Sequence, residues 1–219
     1  MTIDVADRRP APRQDNQDPA LFGQTPSQTV GPFFHYGLPW KGGADLVGQS
    51  DMGARPELFP EAHYVLNLSS PTGTPEGQVI ELTGRVFDGD GAAIPDAMIE
   101  IWQADAAGRY HGEAGSDPHF VGFGRAATAE DGRYRFRTVM PGPIAPGHAP
   151  HVAVSVFARG VIKRLATRIY FEGVEGGDAI LALVPAERRA TLVATSAGDH
   201  VWSLDLHLQG PRETVFFDL

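Results

Sequence analysis

Period-two alternation recurs through the second half of this chain, and it restricts the fold more than any other feature. VIELTGRVF (79–87), AMIEIWQA (97–104), RYRFRT (133–138) and HVAVSVFA (151–158) each place apolar residues at every second position. Successive strand side chains point to opposite faces, so these segments read as half-buried strands. Turn clusters punctuate them: DGDG at 88–91, EDG at 130–132 and a Pro/Gly-rich loop before His151. FGRAAT (123–128) reads as the pairing partner of RYRFRT across EDG, and KRLATRIYF (163–171) as that of HVAVSVFA across an Arg159-Gly160 hairpin turn. VWSLDLHL (201–208) reads as one further strand, Pro185 to Leu192 as the only short helix, and TVFF (214–217) as a docking C-terminus. Seven or so short strands at close spacing predict an all-β chain folded as a β-sandwich.

The organisation expected around that sandwich has three parts. Residues 1–24 are polar and aperiodic and predict a disordered tail. Residues 25–77 predict an extended arm and loop region, and 78–219 the sandwich domain. The arm TPSQTVGPFFHYGLPW (25–40) is dense in aromatics yet interrupted by Pro26, Pro32 and Pro39, which favours extended backbone over helix. That much aromatic area must cover some surface, either its own domain or a partner chain.

Charge and composition narrow the function classes. A formal net charge of -9 argues against nucleic-acid or anionic-membrane surfaces, which need concentrated Lys and Arg. No cysteine occurs, so disulfides, thiolate metal sites and cysteine nucleophiles are excluded. The first twenty residues lack a secretory h-region and no apolar run reaches transmembrane length, which together predict a cytoplasmic protein.

Eight histidines are scattered without an HExxH or His-x-His pair. His151 opens a strand beneath the Pro/Gly loop, a good place to hold a metal, but Ala153, two residues on along the same face, cannot ligate. The ordinary reading of an isolated histidine is a hydrogen-bonded core or surface residue. Arg159, in FARG, sits on a turn where its guanidinium is free either to be solvated or to fork onto a carboxylate ligand.

Several stretches together carry a family resemblance. The arm TPSQTVGPFF (25–34), WQADAAGRY (102–110), RYRFRTVMPGPI (133–144), HVAVSVFARG (151–160), RIYFEG (168–173) and GPRETVFFDL (210–219) resemble the intradiol ring-cleaving dioxygenases that act on protocatechuate, and within them the alpha chains. The resemblance implies a β-sandwich in an alpha–beta hetero-oligomer, with Fe(III) held by the beta chain and protocatechuate and O2 as substrates. The family holds its iron with two tyrosines and two histidines. Tyr110 matches the first tyrosine and His151 the first histidine, whereas Ile144 and Ala153 stand where the other two ligands would be. Two donors are too few for a stable site for hard Fe(III), so no metal is expected in this chain unless His111 or His148 substitutes. The resemblance further implies that Thr29, Gly31, Pro32 and Phe33 of the arm, with Arg159, line the partner's substrate pocket. Two other readings stay open: a transthyretin-like scaffold whose site has decayed, and a homo-oligomeric metalloenzyme with a rebuilt donor set.

Overall fold

The computed structural model describes residues 28–31, 34–37, 42–60 and 73–218. Among them nine strands run in chain order: β1 (Val79–Phe87), β2 (Met98–Gln103), β3 (Phe123–Ala127), β4 (Arg133–Val139), β5 (His151–Phe157), β6 (Leu165–Phe171), β7 (Val193–Gly198), β8 (Val201–Ser203) and β9 (Leu206–His207). The hydrogen-bonded order is β3-β2-β5-β6-β7-β8-β1-β4, with β9 also on β1. β7 joins the two halves, running parallel to the end of β6 at Tyr170 and antiparallel to β8. Inner-face residues of both halves meet in one core: Ile99, Ile101, Val152, Val154 and Ile169 from one side, Ile80, Leu82, Val86 and Phe136 from the other. Each comes from an alternating segment, so the pattern that predicts strands also selects the buried face.

Four expectations need correction. β3 and β4 do not pair; β3 lies on β2 and β4 on β1, so the EDG turn carries the chain from one sheet to the other. Between β5 and β6 runs a seven-residue connection, 158–164, and not a two-residue hairpin. The stretch 185–192 is a 3-10 helix (Ala186–Leu192), and the α-helix α1 (Ala179–Leu183) lies before it. VWSLDLHL is broken into β8 and β9, because the Leu204 carbonyl turns in over Gly84 and accepts from the Tyr134 hydroxyl at 2.7 Å. An alternating sequence cannot show that interruption, since its cause is a glycine 120 residues earlier.

The segment before β1 is integral to the sandwich. Ala44, Leu46 and Val47 are buried in the core. Gly43 accepts from the Arg125 amide on β3, and Ala44 and Leu46 bond to the Arg137 backbone on β4. This strap covers the outer strand of each half, where unpaired backbone would otherwise face solvent. Buried Asp45 fixes its turn by accepting from the Val47, Gly48 and Gln49 amides and the Ser50 hydroxyl. The arm, expected to be extended, winds one 3-10 turn at Phe34–Gly37. At the other end of the chain, Phe217 bonds to Ala166 and Thr167 to Val215, which seats the C-terminus on β6 as the TVFF pattern predicts.

Candidate functional site

Two groups of predicted residues lie at opposite ends of β5. At its start, buried His151 faces outward from the β3-β2-β5-β6 sheet, beneath a satellite cluster of Ala149, Tyr170, Leu181, Val184 and Leu192. Its Nδ1 lies 2.9 Å from the Ala149 carbonyl, which can only accept, so Nδ1 carries the proton. Burial pulls the His151 pKa down; the Ala149 carbonyl pushes the other way, and Arg168 adds to the lowering.

Tyr110 reaches the same region from the turn after β2. Asp105 builds that turn, accepting from the Ala107, Arg109 and Asp117 amides at 2.9 Å each. Burial raises the Asp105 pKa, but those amides outweigh it and hold the carboxyl below its ordinary value. Gly108, at φ 81°, presses against the loop between β4 and β5; a Cβ there would lie 2.1 Å from the Pro143 carbonyl oxygen. The clamp places the Tyr110 turn against the PGPI loop that carries half-exposed Ile144. Tyr110 stacks on Trp102 with ring centroids 5.9 Å apart. Burial raises its hydroxyl pKa, with Arg168 opposing and Glu113 reinforcing, and the net direction is upward.

Register sets the remaining neighbour. Ala153 is flanked by Trp102 on β2 and by Arg168 on β6. These three line a cavity of about 770 Å³, together with Arg164, Leu183 and Phe217. The place where a second histidine would project therefore holds a methyl group, with a guanidinium beside it. His148 lies near enough to lower the His151 pKa, and its own Nδ1 is buried with no partner among the described residues, whereas His111 is exposed. Among the described residues no three His, Cys, Asp or Glu side chains gather in metal-binding geometry. The donors present do not fit Fe(III). Hard ferric iron favours anionic oxygen, whereas burial holds the Tyr110 phenol toward its neutral form and the Tyr170 hydroxyl is engaged by Asp178.

The second group lies beyond the other end of β5, roughly 20 Å along a seven-residue strand. Here the Thr29 hydroxyl accepts from the Gly160 amide at 2.7 Å, joining the arm to the FARG turn. Val161 N–H bonds to Ala158 C=O across Arg159 and Gly160, and Gly160 takes φ 85°, which its lack of a Cβ permits. Arg159 pairs with Asp96 and remains 61% exposed. Gly31 is exposed, and a Cβ there would meet nothing within 4 Å, so nothing among the described residues requires a glycine. Pro32 and Phe33 lie outside the described residues.

A strand-rich sandwich of this topology is the fold of the intradiol dioxygenases. Comparison with known proteins agrees: the dioxygenase family model matches residues 58–200, and the chain belongs to that family, in its intradiol ring-cleaving branch. More particularly, it is 41% identical over 208 residues to the protocatechuate 3,4-dioxygenase alpha chain of Burkholderia cepacia, covering 90% of this chain and 98% of that one. Identity to the beta chain from the same organism is 34%, over 80% of this chain and 75% of that one. Hydroxyquinol 1,2-dioxygenase from Pseudomonas putida DLL-E4 shares the fold at 18% identity, with a TM-score of 0.52 over 84% of this chain and 65% of that one. The alpha-chain resemblance read from the arm, FARG and the C-terminus therefore stands.

Arg168 is the residue that sequence reasoning passed over. A two-residue turn at 159–160 would pair Ala153 with Ala166; the longer connection moves the register by two and brings Arg168 opposite instead. Its face was legible, its partner was not.

Proposed function

We propose that this chain is the alpha subunit of an alpha–beta protocatechuate 3,4-dioxygenase in the cytoplasm. Its arm and FARG turn complete the substrate pocket of an iron-bearing beta chain. The complex opens the ring of protocatechuate between its hydroxyl-bearing carbons, and both atoms of O2 enter the product, 3-carboxy-cis,cis-muconate. Ferric iron in the beta chain activates the catechol; this chain supplies pocket wall, water exclusion and positive charge.

One observation carries the reading: the Thr29–Gly160 hydrogen bond gathers Thr29, Gly31 and Arg159 at the end of β5 remote from His151. A group so placed is badly sited to serve this chain's own vestigial centre and well sited to face outward. Gly31 makes sense there, since a bare backbone lets a neighbouring chain or ligand approach closely. Arg159 is 61% exposed while its partner Asp96 is half-buried, so the guanidinium faces solvent on the side away from Asp96 and is open to a substrate carboxylate there.

Co-purification with a beta chain and measurement of oxygen uptake tests the proposal. Activity is expected from the mixture, with neither stoichiometric iron nor ring cleavage from this chain alone. Within the complex, Arg159→Ala is expected to weaken turnover of protocatechuate more than that of catechol, which lacks the carboxylate. Equal losses for the two substrates would remove the carboxylate role.

A further inference from the structure

The missing ligands are only half of the difference from an iron centre; the other half is charge. Arg168 stands opposite Ala153 on β6, and its positive charge reaches Tyr110, His151 and Tyr170 alike. Its guanidinium also hydrogen-bonds Tyr170, while one terminal nitrogen, Nη1, is buried with no hydrogen-bond partner among the described residues. Its counter-charge lies behind Tyr170, whose hydroxyl donates to the Asp178 Oδ1 at 3.0 Å. Asp178 is buried too, and also accepts from the Ala149, Ile180 and Leu181 amides.

We propose that Arg168 stands in for the iron: its guanidinium supplies the positive charge of the vestigial centre and makes that centre refuse a metal cation even when the donor set is restored. Asp178 is already satisfied by three amides and the Tyr170 hydroxyl, so the guanidinium of Arg168 remains as the positive charge beside Tyr110, His151 and Tyr170. A trivalent ion entering beside the guanidinium would meet a like charge in a poorly solvated site, which costs at least about a hundredfold in affinity. The inference rests on the family assignment of positions 110, 144, 151 and 153, but not on the partner pocket, so it can fail independently of the Arg159 experiment.

The test compares full-length chains carrying Ile144→Tyr and Ala153→His, with Arg168 either kept or changed. Arg168→Met preserves the side-chain stem, removes the charge and adds only a soft thioether that ferric iron disfavours. Arg168→Lys keeps the charge while losing the guanidinium shape. Each variant is incubated with ferric iron and desalted, then scored by metal analysis and by the visible absorption of tyrosinate-to-iron charge transfer. Near-zero iron is expected with arginine or lysine at 168, and iron approaching one per chain with Arg168→Met. A variant whose circular dichroism shows that it does not fold alone is measured in the beta-chain complex, where the count is two irons per pair against one. Full loading with Arg168 intact overturns the proposal, as does equal loading of the Lys and Met variants.

Discussion

Gly84→Ala is the substitution whose cost the structure fixes most closely. A Cβ at this position of β1 would lie 1.7 Å from the Leu204 carbonyl oxygen, 2.6 Å from its carbon and 2.9 Å from the Tyr134 hydroxyl. Relief to a 3.4 Å contact needs a shift of about 1.7 Å in backbone that has no slack. Leu204 donates to the Thr83 carbonyl at 3.0 Å and accepts from buried Tyr134 at 2.7 Å. Losing both hydrogen bonds costs roughly 1 kcal/mol each. Overpacking adds about 1–3 kcal/mol, and reduced entropy of the unfolded chain returns about 0.4–1 kcal/mol. The net loss is about 3 kcal/mol, equivalent to roughly 10 °C at 2–4 °C per kcal/mol for a domain of this size. Urea unfolding followed by far-ultraviolet circular dichroism reads it as a lower midpoint with unchanged slope. Gly176→Ala, where a Cβ meets nothing within 4 Å, is the control and is expected within about 0.5 kcal/mol of the parent. A Gly84→Ala loss below about 1 kcal/mol would refute the account of why β8 and β9 separate.

Acid stability is expected to depend on Asp178. Burial raises its pKa, but the amides of Leu181, Ala149 and Ile180 and the Tyr170 hydroxyl outweigh it, so the folded pKa lies below the unfolded one. The stabilisation is therefore present above the unfolded carboxylate pKa of about 4 and lost as pH falls through the folded value. Thermal melts between pH 3 and 6 should show this loss, and Asp178→Ala should flatten it while costing about 2–4 kcal/mol at neutral pH through the lost N-cap and an unpaired Ala149 amide. Thr29→Val removes the acceptor for the exposed Gly160 amide, so chain stability should change by less than about 0.5 kcal/mol. In the beta-chain complex the same variant should raise KM for protocatechuate by roughly 3–10-fold, about 1 kcal/mol for one hydrogen bond; unchanged kinetics would mean that this bond does not set the arm's position.

Legibility tracked the range of the interactions involved. β1 through β6 were readable because alternation is local, as at Val152, Val154 and Val156, although β6 is covered on both faces. β7 was not, because VATSAG buries Ala194 alone and owes its pairing to its neighbours. α1 was missed for a related reason: five residues carry little periodicity, and the helix depends on an Asp178 cap that also ties down the Ala149 amide. At the candidate centre, the identities at 110, 144, 151 and 153 could be read directly, since chemistry forbids Ile and Ala from ligating. The Thr29–Gly160 contact spans 131 residues and could come only from the folded chain.

The two ends of β5 also explain how a dioxygenase fold persists after losing its donors. A metal centre that simply lost ligands would leave buried polar groups unpaired, and such groups cost several kcal/mol. Here the polar remnants are occupied: His151 with the Ala149 carbonyl, Tyr110 against Trp102, and Asp178 with three amides and Tyr170. Among the described residues of this region, the buried Nδ1 of His148 and Nη1 of Arg168 are left over, the latter on a side chain that in the proposal above takes the place of a bound cation. On the proposed reading, the work of this chain falls at the far end of the strand, at Thr29 and Arg159. Arg168→Met with Ile144 and Ala153 untouched should therefore leave oxygen uptake by the complex unchanged, while Arg159→Ala should not. Loss of activity from Arg168→Met in a complex that still assembles would show that the vestigial centre and the arm are coupled through β5.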